Sequence, residues 1–418
     1  MSPRLVLLAG WLVFMLYAYP GHMTFVALEQ LTEVRFDRVS DLYGPLMCRL
    51  WSLTEILIAG PAGMLVVQSA LVLFGVNALL RRRLAARPAA IASALLLVFP
   101  PVMAAVAVID AHVMLAGMLL CTAALFGHER RAYRVAGLVL VAIACGLREG
   151  AALAAAPIVI AGFLWRAEDR GVRRYGIAVG AWICAALLGY AIEHVSTEHV
   201  TRQPEVERAA FEIAGILAHT SELSDAHVRE LAAGDIFTPG GDLQARARAA
   251  PAKLFVQPRT DAEVETLLAA RSRVRAHDRG AYLAMQWVHW KRLVGLTGRS
   301  ISRVYAKDGE TREHRLVLAH TARPSPVQKL LVRFARAVAR TFAFAPILYF
   351  VIALVLVPFA RRDRVALMLL ASGIVLQLAL AFVTWHEEYR FSTWPILATL
   401  VALVLVVSGR RAASASPG

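Results

Sequence analysis

Long apolar stretches alternate with short polar breaks along this chain, and the alternation predicts a bundle of membrane-crossing helices. Apolar stretches near the length a helix needs to span a bilayer, about 20 residues, run over Leu5 to Tyr19, Ile56 to Leu80, Ala89 to Val108, Val113 to Phe126, Val135 to Leu147, Ala151 to Trp165, Ile177 to Ile192, Phe344 to Phe359, Val365 to Val383 and Ile396 to Val407. The expected fold is all-α: a polytopic membrane protein of about ten transmembrane helices. Several stretches are short for a perpendicular span, notably Val135 to Leu147, so boundaries can shift or two short segments can be re-entrant.

One long polar segment, Ser196 to Thr341, interrupts the series and is too polar to span. Within it Phe211, Ile213, Ile216 and Leu217 recur at helical spacing between Pro204 and the Ser221 to Ser224 break. Thr238 to Asp242, TPGGD, is a turn. Asp261 to Leu296 reads as one or two amphipathic helices, with Trp287, Trp290, Lys291 and Arg292 suited to a membrane interface. The resulting division is an N-terminal transmembrane module at 1–195 with an outer loop at 21–55, an outer helical domain at 196–341, a C-terminal transmembrane module at 342–411, and a disordered low-complexity tail at 412–418.

Composition agrees with this pattern. Hydrophobic residues are 58% of the chain and charged residues 18%, with a mean hydropathy of +0.57. In a soluble chain the net charge of +15 would suggest nucleic acid, but its placement says otherwise. Arg81, Arg82, Arg83 and Arg87 follow the second stretch, and Arg130, Arg131 and Arg134 the fourth. Arg166, Arg170, Arg173 and Arg174 follow the sixth, Arg361, Arg362 and Arg364 the eighth, and Arg410 and Arg411 the tenth. With Arg4 inside, every cluster falls on the cytoplasmic face, as the positive-inside rule requires, and both termini are cytoplasmic. The partners this implies are membrane lipids and no nucleic acid.

Met1 to Tyr19 has no small-x-small cleavage site before Gly21 and is read as an anchor. Cys48, Cys121, Cys145 and Cys184 have no paired spacing, so neither a disulfide framework nor a zinc site is indicated. No phosphate-binding, dinucleotide-binding, zincin or nucleophile-elbow motif stands in a suitable context.

Span middles carry almost no ionisable groups, which disfavours an ion-coupled transporter. The acids collect instead at the outer ends: Asp37 and Asp41, Asp110, Glu149, then Glu387 and Glu388. Asp41 is either a loop or helix-start acid or a general base for an acceptor hydroxyl. Asp110 marks the water boundary or orients an acceptor or metal ion, and His112 beside it reads as a polar turn residue. Arg148 either pairs locally with Glu149 or holds a phosphate, for which a planar guanidinium suits. The last outer turn, Thr384 to Pro395, packs His386, Glu387, Glu388, Tyr389 and Arg390 between Trp385 and Trp394. Arg390 contacts headgroups or takes the phosphate of a lipid-linked donor, where it would stabilise the leaving group.

These turns resemble those of the GT-C superfamily of polytopic glycosyltransferases, and within it a bacterial branch. There the first outer loop commonly reads S-D-x-H-P-P-L before a tryptophan-containing helix, to which SDLYGPLMCRLW (Ser40 to Trp51) is similar. The next outer turn often reads W-K-D where this chain has V-I-D ending at Asp110, and the late D-x-R-Y-like turn is similar to EEYRFSTW. FEIAGILAHTSE and AYLAMQW also look like outer-domain segments of that branch.

The resemblance implies transfer of a sugar from a polyprenyl-phosphate donor to a hydroxyl of a glycan, lipid or protein acceptor at the outer face of a bacterial inner membrane, with inversion. It implies Asp41 as base, Asp110 as acceptor-positioning or metal-linked acid, Arg390 and Arg148 on the donor phosphate, and Tyr43, His386, Glu387, Glu388 and Tyr389 as substrate-positioning residues. Some superfamily members use a divalent cation and others do not, so metal dependence stays open. The chain departs from the pattern at Tyr43-Gly44, where His and Pro are usual, at Arg148-Glu149-Gly150, where R-H-N is common, and at Phe391, where Tyr is usual. A transporter or flippase for a lipid-linked sugar, and a non-catalytic envelope scaffold, are the alternative readings.

Overall fold

The computed structural model describes residues 1–148, 150–165, 171–221, 223–232, 236–240, 242–297, 325–384 and 387–414. Among them nearly all regular structure is helical. The helices in order are α1 (Pro3–Ala18), α2 (Phe25–Phe36), α3 (Pro45–Glu55), α4 (Ala62–Leu80), α5 (Ala86–Val98), α6 (Pro100–Val106), α7 (Ala111–Leu125), α8 (Arg131–Leu147), α9 (Ala151–Gly162) and α10 (Gly171–Ser196). Then come α11 (Gln203–His219), α12 (Asp225–Ala232), α13 (Leu243–Ala249), α14 (Asp261–His277), α15 (Arg279–Leu293), α16 (Pro326–Val338), α17 (Pro346–Ala360), α18 (Arg364–Val383) and α19 (Thr393–Ser414).

Each predicted apolar stretch is helical. The helical segments Ala62–Leu80, Gly171–Ser196, Arg364–Val383 and Tyr389–Gly409 are long and apolar enough to cross a membrane, and α1, α7, α9 and α17 are shorter apolar helices. Their outward faces are greasy: Leu5, Leu8, Leu12 and Leu16 of α1 and Leu187, Leu188 and Tyr190 of α10 are all about half exposed or more. Apolar residues outside as well as inside describe a protein solvated by lipid. The chain is a multi-pass membrane protein.

The Ala89 to Val108 stretch, expected as one span, is broken: α5 and α6 meet at a bend of 71°. Pro100 and Pro101 open α6 there, since proline supplies no N–H and crowds the preceding turn. The other end of α6 is satisfied from α4, where buried Gln68 Nε2 donates to Val106 O and Val108 O at 2.7 Å each, as burial in a membrane demands.

Among the described residues, besides a small third cluster of Trp290, Val294 and Ala381, there are two large cores. One runs through the bundle and includes Trp51, Leu65, Val76, Leu119, Ile158, Leu369 and Trp394. The other, with Ile213, Leu217, Val228, Leu267 and Val274, belongs to the helices between α11 and α15. There α14 starts on a capping box of Thr260 and Glu263. Asp278 caps α15 by accepting from Ala281 N at 2.8 Å. The tail beyond residue 414 lies outside the described residues.

Candidate functional site

At one end of the bundle a cavity of about 180 Å³ is lined by Gln30, Asp41, Tyr43, Asp110, Arg148, Glu193, Thr384, Arg390 and Phe391, among others. Five residues singled out from sequence, Asp41, Tyr43, Asp110, Arg148 and Arg390, therefore share one concavity although they span 350 positions of chain. Each reaches it through the local grammar of its own segment.

Asp41 sits in the 38–44 turn between α2 and α3. Glu33 of α2 holds that turn by accepting from Ser40 Oγ and from Ser40 N. Gly44, at φ 83°, turns the chain into Pro45, the first residue of α3. On its other side the turn is stitched to residues 198–202. Glu198 N and His199 N donate to Val39 O, and Asp41 N donates to His199 O at 3.2 Å. The Asp41 carboxylate accepts from Thr201 N and Thr201 Oγ1, both at 2.7 Å, and from Arg202 N at 3.1 Å. Asp41 thus fixes the start of α11 against the α2–α3 turn, and lines the cavity. Tyr43 lies beside it. Burial, then Glu29, Glu207 and Glu33, push its phenol up to about 12, so it stays a hydrogen-bond donor.

Asp110 caps α7. Its Oδ1 accepts from His112 N at 2.8 Å and from His112 Nδ1 at 2.6 Å, so Nδ1 carries the proton. Its Oδ2 accepts from Arg390 Nη1 at 2.5 Å. Burial opposes the charge on this carboxyl. The facing Arg390 guanidinium and His112 outweigh burial and hold it well below the usual carboxylate range. Arg390 is itself clamped by Glu388, at 2.5 Å to Nε and 3.1 Å to Nη2, and donates to Thr24 Oγ1 at 3.3 Å. Asp110 and Arg390 are 6% and 5% exposed, a buried ion pair joining the start of α7 to the turn before α19.

Arg148 ends α8, opposite Glu193 of α10, at a close crossing of those helices. A Cβ on Gly146 would meet Gly189 O at 2.7 Å, and one on Gly189 would meet Ala142 O at 2.4 Å. Only glycine permits that approach, and the approach sets both charged groups on the cavity wall. The Arg148 guanidinium lies 5.4 Å from the Phe391 ring centre, Arg390 5.6 Å, and the His112 ring 4.5 Å. Phe391 is the shared apolar plate for three nitrogen-bearing groups.

The rest of the last turn is elsewhere. Tyr389 is buried, its ring 5.3 Å from Phe344 and its hydroxyl donating to Pro101 O at 3.4 Å. Glu387 faces His289 and Arg292 of α15, both at 3.4 Å. Glu388 reaches the cavity only through Arg390. His386 and Glu149 lie outside the described residues. Sequence reading missed Glu193, Gln30 and Phe391. The signal for Glu193 was present, an acid one position beyond a long apolar stretch that ended at Ile192.

Among the described residues no group of three or more His, Cys, Asp or Glu side chains is placed to hold a metal ion. Asp110 commits both oxygens to Arg390 and His112, so this donor set does not fit a cation, and no step is drawn through one.

No family model matches the sequence, and no curated protein matches it. Among solved structures, ArnT from Cupriavidus metallidurans bound to undecaprenyl phosphate aligns over 98% of this chain and 78% of its own, at 15% identity and a TM-score of 0.38. The same enzyme in the apo state gives 0.37 over the same shares at the same identity. An oligosaccharyltransferase from Archaeoglobus fulgidus, in complex with Zn and sulfate, aligns over 98% of this chain and 51% of its own, at 15% identity and 0.39.

Proposed function

We propose that this protein is a membrane glycosyltransferase that moves a sugar from a polyprenyl-phosphate donor to a hydroxyl acceptor at the outer face of a bacterial inner membrane, with inversion at the anomeric carbon. The observation that carries this reading is the cavity itself, which gathers a carboxylate, Asp41, and a guanidinium, Arg148, from outer turns far apart in sequence. In the proposed reaction the acceptor oxygen forms a bond to the anomeric carbon as the bond from that carbon to the donor phosphate oxygen breaks. The acceptor proton passes to Asp41, and the electron pair leaves with the polyprenyl phosphate. Arg148 and Arg390 are the proposed anchors for that phosphate, Arg148 from its place on the cavity wall and Arg390 through a guanidinium that Asp110, Glu388 and Thr24 hold in place. Asp110 positions Arg390, and Tyr43 offers its phenol to the sugar or phosphate.

The test compares lipid-linked sugars and envelope glycans by mass spectrometry in cells carrying wild type, a deletion, Asp41→Asn and Thr201→Val. Loss of one glycan sugar in the deletion and in Asp41→Asn, with its donor accumulating and transfer reduced by about 10²- to 10⁴-fold, is expected of a lost general base. Thr201→Val removes one docking bond but keeps the carboxylate, and should transfer normally. Equal loss in both variants would mean that Asp41 acts only by docking α11. A glycan change in the deletion alone would favour transport or scaffolding.

A further inference from the structure

Outside the cavity, α16 carries three distinct faces. Gln328 and Ala335, seven residues apart, point at the protein: Gln328 Nε2 donates to Tyr17 O at 3.0 Å and Tyr19 O at 2.7 Å, and Ala335 is fully buried. A second face shows Val327, Leu330 and Phe334, spaced i, i+3, i+7, which are 48%, 65% and 53% exposed. Phe342, just past the helix, is 77% exposed. A third face carries Lys329, Arg333, Arg336 and Arg340, all exposed, and residues 326–341 contain no acid. A helix with one edge docked and large apolar side chains left bare beside a row of cations matches the physics of a helix lying in a bilayer interface.

Its position agrees. The residues it grips, Tyr17 and Tyr19, are at the end of α1 that leads to His22, whose backbone pairs with Ala107 and Ile109 next to Asp110. So α16 lies at the cavity end of the bundle, and the chain runs from it through Phe342–Phe344 into the apolar α17.

We infer that α16 is a binding surface for anionic phospholipid: Val327, Leu330 and Phe334 enter the acyl boundary while Lys329, Arg333 and, just past the helix, Arg340 take headgroup phosphates. The cationic row decides between occupants. A protein partner or second copy would also cover the apolar strip, but three exposed cations along its edge, in a segment without an acid, are complementary to a sheet of phosphates. The inference stands whether or not the protein transfers sugar.

The full chain is placed in lipid nanodiscs with an environment-sensitive fluorophore on Phe334→Cys, in a background where Cys48, Cys121, Cys145 and Cys184 are replaced. Expected are blue-shifted emission, quenching by lipids with a nitroxide near the headgroup, and stronger quenching in phosphatidylglycerol than in phosphatidylcholine. Replacing Lys329, Arg333 and Arg340 with Gln should remove that lipid preference, at about fivefold in lipid association per cation. These residues are exposed, so the variants test charge without disturbing a core. Water-like emission accessible to an aqueous quencher in both lipids would overturn the inference. So would protection that depends on protein concentration, which would identify a second copy as the occupant, or quenching indifferent to headgroup charge in both the parent and the Gln variant.

Discussion

The two ends of α7, about 22 Å apart at 1.5 Å per residue, put arginine to different uses. At the far end guanidiniums satisfy helix C-termini. Arg82 Nη2 donates to Ala123 O at 3.2 Å and Ala124 O at 2.8 Å, Arg134 Nη1 to Leu164 O at 2.7 Å, and Arg174 and Arg364 both to Ala161 O. Ala123 O, Ala124 O and Ala161 O belong to the last turns of α7 and α9, where carbonyls lack an i+4 partner in the helix and carry the negative end of the dipole, and Leu164 lies just past α9. At the cavity end Arg390 is locked between two carboxylates and Arg148 lies over an aromatic ring. One set closes the bundle, and the other lines a cavity.

The comparison is tested hardest at Asp110. If Asp110–Arg390 is a buried pair, Asp110→Asn leaves the guanidinium short of one countercharge and should cost about 3 kcal/mol of stability, measured as denaturant unfolding in detergent. It also has a pH signature. The folded pKa is depressed, so the contribution is complete above the unfolded value near 3.9 and is lost as pH falls below it towards the folded value. Wild type should therefore lose stability on acidification below about pH 4, and Asp110→Asn should lose less. Equal slopes would remove Asp110 from the linkage.

Arg148 sharpens the functional half. Arg148→Ala should weaken use of the polyprenyl-phosphate donor by about ten- to a hundredfold, the worth of a charged hydrogen bond. Arg148→Lys should recover part of it, because charge is kept and the planar fork lost. In both variants KM for the donor should rise more than kcat falls. An Arg148→Ala enzyme with unchanged donor KM would reduce Arg148 to a packing partner of Phe391.

Legibility from sequence follows the same divide. Apolar periodicity reported the helices of the multi-pass bundle, because burial in lipid acts on every residue alike. The outer acids and arginines could be nominated, and Asp41, Asp110, Arg148 and Arg390 do share one cavity. What the sequence could not carry was who faces whom. That Glu387 turns to His289 while Glu388 turns to Arg390 depends on the short 3-10 turn Tyr389–Ser392. Glu193 reaches the cavity through a glycine crossing between α8 and α10, a contact 43 residues apart in sequence. The α5–α6 bend was written in Pro100-Pro101, but the capping of the far end of α6 by Gln68 was not, since a lone glutamine in a span carries no address for its partner.

The smallest effect belongs to the far end and is the cleanest test of its capping role. A Cβ on Gly127 would lie 1.6 Å from Arg82 Nη2. That guanidinium is the mobile end of a long side chain, so Gly127→Ala need not strain the backbone. It need only push Arg82 off Ala123 O and Ala124 O. The cost is then the lost capping bonds, about 1 kcal/mol, and Arg82→Ala should cost about the same. The double variant should cost no more than either single one, because both remove one interaction. Additive losses would mean that Gly127 serves some other contact, and no loss from either would make Arg82 a topology signal alone. Sugar transfer should be unchanged in all three, since α7 separates this cluster from the cavity by its whole length.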